Sequence, residues 1–348
     1  MNLIELLYYM GYLLKRYKDL KNQKKLPYKV ISIGNITVGG TGKTPATIAI
    51  AEEAKKRGLT PIILTRGYKG KTKGSCLVSK GDGPLMGEVD AGDEAILMAE
   101  KLKGVPVIKG EDRYNGGMFA IEHLKSEIVR PESEILFILD DGFQHRRLFR
   151  DKDILLIDSQ KPFGNKRLLP VGALREPVNA ISRADIIVLT KTENIGKETE
   201  YREQTLQNKS LIKEVRKYNK KASIFFADHR PLRFISTQGD IFPLEWSKDK
   251  VFFAFCGIGD PESFKRTLLS SNIILKGFKS YRDHYRYSLK DIENIINQSK
   301  KSMADWIVTT EKDIMRLRNI GVIENIVALE IEFVPDIGFY DEVFSTQK

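Results

Sequence analysis

The stretch from Val30 to Pro45, Val-Ile-Ser-Ile-Gly-Asn-Ile-Thr-Val-Gly-Gly-Thr-Gly-Lys-Thr-Pro, constrains this chain more than any other. A short β-branched run (Val30, Ile31, Ile33) breaks into a loop holding Gly34, Gly39, Gly40 and Gly42, and from Ala46 onward the pattern is that of an amphipathic helix. Strand, glycine loop, helix is the order that lets backbone N–H groups surround an anion, with the helix N-terminus adding a favourable dipole. Lys43 and Thr44 follow the last glycine, where an ammonium reaches the terminal phosphates of a nucleotide and a hydroxyl ligates Mg²⁺. The expected ATP-binding loop is therefore Thr37, Val38, Gly39, Gly40, Thr41, Gly42, Lys43 and Thr44. Its first corner departs from the usual pattern, since Thr37 stands where such loops open on glycine. A glycine turn before an ordinary helix is the alternative.

A second signal matches the first. Glu134 to Leu139 reads as a buried strand that ends in Asp140-Asp141-Gly-Phe-Gln-His. In phosphate-loop proteins an acid at this point serves the Mg²⁺ site, so Asp140 and Asp141 join Thr44 as candidate metal ligands. Gln144 and His145 place a donor and a titratable ring next to them, although a lone histidine is often structural. Thr60 to Thr65 is another buried run, ending in Arg66, and ligands of open α/β sheets bind at such carboxyl ends. Gly92-Asp93-Glu94 starts a helical pattern. The two acids suit either an N-cap with its dipole partner or a base presented to substrate. Beyond a further strand, Asp153 to Asp158, the loop from Phe163 to Pro177 carries Arg167, Arg175 and Glu176, placed for an anionic substrate or the metal. The tail Thr190-Lys191-Thr192-Glu193 suggests base recognition only faintly and reads better as a plain strand end.

Length and composition bound the rest. At 348 residues, 41% hydrophobic and 30% charged, the chain suits two globular α/β domains and argues against disorder and full membrane integration. Two isolated cysteines, Cys76 and Cys256, exclude a Cys-x-x-Cys metal site and make a disulfide framework unsuited. A net charge of +11 favours anionic partners: nucleotides, phospholipid surfaces, phosphorylated glycolipids or nucleic acid. The N-terminus has apolar residues at Leu3, Leu7, Met10, Leu14 and Tyr17, a helical stripe too short to span a bilayer and without the features of a signal peptide. Lys15, Arg16, Lys18, Lys21, Lys24 and Lys25 follow, the composition of a helix lying on an anionic membrane face; a helix packed on the domain with a solvated basic tail is the alternative.

From Gly196 to Lys221 the sequence is charged and helical, and suits a helix leading out of the first domain. Strand and helix patterns then recur, at Ser223–Ala227, Val251–Cys256 and Trp306–Thr310. Asp260-Pro261 supplies an N-cap and N1 proline, Thr310 with Asp313 a capping box, and Asp283-His284 a titratable pair among aromatic residues. The expected layout is a membrane-associating helix with its basic tail over 1–25, a phosphate-loop domain of mostly parallel sheet over 26–220, and a smaller α/β domain over 221–348.

Taken in order, Gly34-Asn-Ile-Thr-Val-Gly-Gly-Thr-Gly-Lys-Thr-Pro, Arg66-Gly-Tyr, Gly92-Asp-Glu, Asp140-Asp-Gly-Phe-Gln-His, Leu169-Pro-Val-Gly-Ala-Leu-Arg-Glu-Pro, Cys256-Gly-Ile-Gly, Asp283-His and Thr310-Glu-Lys-Asp resemble the tetraacyldisaccharide 4'-kinase family over nearly the whole chain. In that family the loop opens on threonine, as at Thr37. Tyr285 follows His284 where a second histidine is familiar. The resemblance implies transfer of the ATP γ-phosphate to the 4'-hydroxyl of a lipid A disaccharide 1-phosphate precursor, at the cytoplasmic face of the inner membrane, by a peripheral protein. It also implies a short two-stranded linker between the domains. With Mg²⁺ as cofactor, Thr44, Asp140 and Asp141 are the expected metal ligands, with Glu94 and Glu176 as helpers. Asn35, Arg66, Gln144, His145 and Arg175 are expected to hold substrate, and Asp93 with His284, alongside Lys43, to carry the chemistry. A monomer that binds no nucleic acid is expected. Rival readings are another phosphate-loop enzyme, a ligase or a soluble-metabolite kinase, and a nucleotide-dependent switch or metallochaperone. The metallochaperone would need metal-binding Cys or His clusters that are not evident here.

Overall fold

A computed structural model describes residues 2–124, 134–192, 198–318 and 323–345; Glu193 and the start of the Gly196 helical pattern lie outside them. The chain forms two compact units, Met1–Asp228 together with Phe333–Lys348, and His229–Glu332.

The first unit opens with α1 (Leu3–Lys21). It continues with β1 (Lys29–Gly34), α2 (Lys43–Lys56), β2 (Thr60–Thr65), β3 (Cys76–Ser79), α3 (Glu88–Ala91), α4 (Asp93–Lys101) and β4 (Val107–Lys109). Next come α5 (Arg113–Leu124), β5 (Ile135–Leu139), β6 (Lys152–Asp158), β7 (Ile186–Thr190), α6 (Glu198–Tyr218) and the start of β8 (Ser223–Ser236). Its sheet runs β3-β4-β2-β5-β1-β6-β7-β8, parallel except where β3 meets β4. Both faces are covered, which is why the strands read as unbroken apolar runs and not as alternation. Ile31, Ile33, Leu136, Ile138, Ile154 and Leu156 point into one core with α2 and α4, while Val30, Phe137 and Leu139 enter another with α5, and Leu155 and Ile157 a third.

The second unit holds the rest of β8, then β9 (Ile241–Pro243), β10 (Val251–Cys256), α7 (Pro261–Ser270), β11 (Ile274–Ser280), α8 (Leu289–Lys301), β12 (Trp306–Thr310), α9 (Glu311–Arg318) and most of β13 (Ile326–Pro335). Its strands order as β11-β10-β12-β13-β8, with β9 on β8. Ser288 and Asp291 form a reciprocal capping box on α8, and Thr310 caps α9 through Asp313. Two strands, β8 and β13, carry the chain between the units.

The expected boundary differs at its far end. The last residues, with α10 (Phe339–Phe344), return to the first unit: Phe339 and Val343 are buried in its core beside Phe333, and Lys152 Nζ, buried at the start of β6, donates to the Ser345 carbonyl at 3.2 Å. A buried ammonium needs acceptors, and the C-terminal turn supplies them.

α1 packs in an unusual sense. Its buried residues are Glu5 and Asp19, whereas Leu3, Leu7, Met10, Leu14 and Tyr17 are all more than half exposed. Glu5 accepts the Leu168 N–H at 2.9 Å and pairs with Arg167 at 3.0 Å, and Tyr8 donates to the Arg175 carbonyl at 2.9 Å. The helix is thus held by its polar face. Arg167, expected near substrate or metal, is instead the partner of Glu5.

Candidate active site

Three strand ends converge at the carboxyl edge of the first sheet, because β1 lies beside β5 and β5 beside β2. β1 delivers the glycine loop. Gly39 and Gly42 take left-handed backbone (φ 116° and 83°) that a side chain would strain, and Gly42 is the N-cap that makes Lys43 and Thr44 the first residues of α2. Thr37 needs no such freedom. It forms an antiparallel bridge with Leu174, while Val38 N–H donates to the Ala173 carbonyl and Arg175 N–H to that of Ile36, both at 2.8 Å. The loop's first corner is extended backbone stapled to residues 173–175, so a β-branched residue fits where glycine is usual.

β5 ends in two aspartates with different duties. Asp140 is 1% exposed and accepts hydroxyl hydrogen bonds from Thr47 and Thr65, each at 3.2 Å. Asp141, at φ 49°, accepts twice from Arg175 Nη1 (2.8 and 3.0 Å) and lies 3.7 Å from Lys43 Nζ. Burial alone would raise the Asp141 pKa, but the charges of Lys43 and Arg175 outweigh it and hold the carboxyl down at about 2.

Arg113 belongs with this group and escaped the sequence reading. It begins α5 next to the end of β4, with only 4% of its surface exposed. Its guanidinium donates to the carbonyls of Gly110 (3.2 Å) and Asp140 (3.5 Å), and its Nε has no partner among the described residues. Burial pulls its pKa down to about 10, against the pull of Asp140 and Asp141, so it stays cationic at neutral pH. The available signal was Asp112, whose carboxylate caps Tyr114 N–H at 3.0 Å and marks a helix start just after a strand.

His145 is not the titrating ring that was expected. Burial and the Arg113 charge press its pKa down to about 3, and its Nε2 accepts the backbone N–H of Arg113 at 3.3 Å. It is a neutral acceptor that fixes the start of α5. Gln144 ties two segments together, donating to the Asn35 carbonyl and to Glu176, both at 2.7 Å.

Glu176 was expected to help hold the metal. Its carboxylate is fully buried, clasped by Arg183 at 2.6 and 2.7 Å, bonded by Arg146 and approached by the Tyr12 hydroxyl at 3.3 Å. Its oxygens are occupied by cationic donors, which anchors the 175–176 turn to α1. Glu94 and Asp93 lie at the start of α4. Gly92, not Asp93, is the N-cap, and Asp93 is 7% exposed with its Oδ1 accepting the Glu94 N–H at 3.0 Å. The Arg66 turn lies against this start: a Cβ on Gly92 would meet the Tyr68 carbonyl at 2.6 Å. Asn35 is completely buried and neither atom of its amide has a partner among the described residues; the Thr41 hydroxyl is in the same position. Just after β7, Lys191 pairs with Asp158 at 2.6 Å, consistent with a structural strand end.

In the second unit His284 sits at φ 56°, its N–H donating to the Gly257 carbonyl at 3.0 Å. No group of three or more His, Cys, Asp or Glu able to hold a metal occurs among the described residues. A phosphate-loop Mg²⁺ does not need one, since it takes a hydroxyl, an acid and phosphate oxygens, and Thr44 with Asp140 at adjoining strand and helix ends fits that donor set.

A family model for tetraacyldisaccharide-1-P 4'-kinase matches residues 1–345. The chain belongs to the tetraacyldisaccharide 4'-kinase family. The tetraacyldisaccharide 4'-kinase of Syntrophus aciditrophicus is 40% identical over 306 residues, covering 86% of this chain and 78% of the relative. That of Aquifex aeolicus is 37% identical over 309 residues, covering 89% and 84%. Among solved structures, LpxK from Aquifex aeolicus in complex with ATP superposes with a TM-score of 0.74 and 32% identity, over 98% of this chain and 96% of that one.

Proposed function

We propose that this kinase transfers the γ-phosphate of ATP to the 4'-hydroxyl of a tetraacyldisaccharide 1-phosphate, the lipid A precursor, while held peripherally on the cytoplasmic face of the inner membrane. One observation carries the reading: Lys43, Arg175 and Arg113 are gathered around Asp140 and Asp141 at the mouth of the glycine loop. Three cations at one point of a helix N-terminus are the electrostatics of a phosphoryl-transfer site. Lys43 and Arg175 exchange the Asp141 carboxylate for phosphate oxygens, and loop N–H groups from Gly39 to Thr44 hold the rest of the phosphate chain. Thr44 and Asp140 would hold Mg²⁺, with Asp141 and Glu94 in support; when bound, the ion neutralises charge on the transferring group. Asp93 takes the proton of the 4'-hydroxyl as its oxygen bonds to the γ-phosphorus and the bond to the bridging oxygen of ADP breaks, and His284 is the second residue that this chemistry requires. Asn35, with its unpartnered buried amide, and Arg66 are the groups offered to the sugar phosphate.

The exposed apolar face of α1, followed by lysines and arginines, supports placement on an anionic bilayer, and no helix of the described residues is long and apolar enough to cross one. The test is incubation with radiolabelled ATP, Mg²⁺ and detergent-dispersed disaccharide 1-phosphate, beside a soluble sugar. Label in the lipid fraction alone is expected; label in the soluble sugar at equal rate overturns the substrate assignment.

A further inference from the structure

We infer that Arg316, braced by Asp313, fixes the His284 ring in its Nε2–H form, so that His284 serves the transfer as a hydrogen-bond donor and not as a proton acceptor. Arg316 is 6% exposed on α9. Its Nη1 donates to Asp313 Oδ1 at 2.8 Å and to the Gly257 carbonyl at 3.0 Å, and its Nη2 lies 3.4 Å from His284 Nδ1. A guanidinium carries only N–H donors and keeps its charge in proteins, so the nitrogen facing it must offer a lone pair. In the neutral imidazole the remaining proton then sits on Nε2.

The guanidinium has little freedom to do otherwise. Asp313 is fully buried and its carboxylate also accepts from Tyr287 (2.9 Å), the Gly257 N–H (3.0 Å) and Thr310 (2.6 Å). Gly257 has no room for a side chain, since a Cβ there would meet the Tyr287 hydroxyl at 2.9 Å and Asp313 at 3.1 Å. The histidine is pinned as firmly. Left-handed backbone at a non-glycine residue is strained, and it is maintained here by the His284 N–H bond to Gly257 and by Tyr281 N–H to the Cys256 carbonyl at 2.8 Å. Nε2 lies 3.8 Å from Asp283 Oδ1, the carboxylate of a half-exposed residue. A relay that moved the sugar proton through His284 would need a bare Nε2. With the hydrogen already there, the ring can orient an acceptor carboxylate, and the sugar proton stays on that carboxylate. Arg316 is thus a positioning residue, and its kinetic consequence rests on the reading of His284 given above.

Long-range ¹H–¹⁵N spectra of the full-length protein near pH 7.5 report the tautomer directly, and with four histidines in the chain the His284 signals are assigned by their loss in His284→Gln. The expected pattern is an acceptor-type Nδ1 and a protonated Nε2. In Arg316→Ala, with folding checked by circular dichroism, the two tautomers mix and kcat falls at least tenfold while KM for ATP stays within twofold. Arg316→Lys, which keeps one donor, regains part of kcat and covers the case in which the alanine variant does not fold. A protonated Nδ1 in the unaltered protein, or Arg316 variants with unchanged spectra and kcat, overturns the inference. If His284→Gln leaves kcat untouched, the catalytic reading of His284 falls on its own, whatever tautomer the spectra show.

Discussion

Asp141 carries two cations at once, and the electrostatics of the site turn on it. With its pKa held near 2 it is charged throughout the working range, keeping Lys43 and Arg175 a few ångströms apart at the loop. Lys43→Ala leaves Asp141 one partner and should leave the fold intact. Because the ammonium balances charge on the phosphates as the bond to ADP breaks, kcat should drop by about 10²–10³-fold or more, with the melting temperature nearly unchanged. Turnover within a few-fold of the unaltered enzyme would refute the assignment. His145 gives a separate, structural signature. Its folded pKa near 3 lies below the ordinary histidine value, so the unfolded chain takes up a proton that the folded one refuses. This contribution is complete above pH about 6.5 and is lost as pH falls toward 3, at up to ~1.4 kcal/mol per pH unit. His145→Gln keeps an acceptor for Arg113 without titrating. Denaturant midpoints compared at pH 7.5 and pH 5 should therefore fall less in the variant than in the unaltered protein. Asp141 does not confuse this comparison, since its own contribution is lost only below about pH 4.

At the scale of elements, α1 shows how the same periodicity can serve opposite ends. A helical apolar stripe is read by default as the face that packs, yet here Glu5, Tyr8 and Tyr12 make the attachments and Leu3, Leu7, Met10 and Leu14 face outward. Leu7→Glu combined with Leu14→Glu should accordingly cost nothing in thermal stability while lowering flotation with anionic vesicles and raising the apparent KM for lipid substrate. Equal flotation of variant and parent would make the exposed face incidental. Glu5→Ala should do the reverse, loosening the 167–175 segment that staples the glycine loop and lowering the melting temperature, because the Leu168 N–H and Arg167 lose their acceptor. The long buried strands β1, β2, β5, β6 and β7 were legible because a sheet covered on both faces demands continuous apolar residues. β3, β4 and β11 were not: the first two have only four and three residues, and β11, though seven residues long, is only partly buried and carries no continuous apolar run.

For the whole molecule, the proposed chemistry uses two residues far apart in sequence, Asp93 at the start of α4 and His284 after β11. If they act as a unit, Asp93→Ala and His284→Ala should each lower kcat by about 10²–10⁴-fold, and the double variant should be little worse than the worse single. Additive losses, or effects confined to KM, would show that they bind substrate separately. The linear order of residues was enough to read a glycine loop between strand and helix, acids after β5 and a two-unit α/β chain, since each depends on short-range spacing or on an apolar period, and a series of blocks in order was enough for the resemblance to the family. Partnership was decided only by the folded chain. Glu176 was indistinguishable in sequence from a metal ligand until Arg146 and Arg183, 30 residues before it and seven after, closed on it. Arg113 carried no mark in the sequence until burial and the Asp140 carbonyl gave it a place, and the last residues looked like part of the second unit until Lys152 required acceptors. Charge and hydrogen-bonding capacity are written in the residue types, but which donor satisfies which acceptor depends on distances that exist only once the strands have registered.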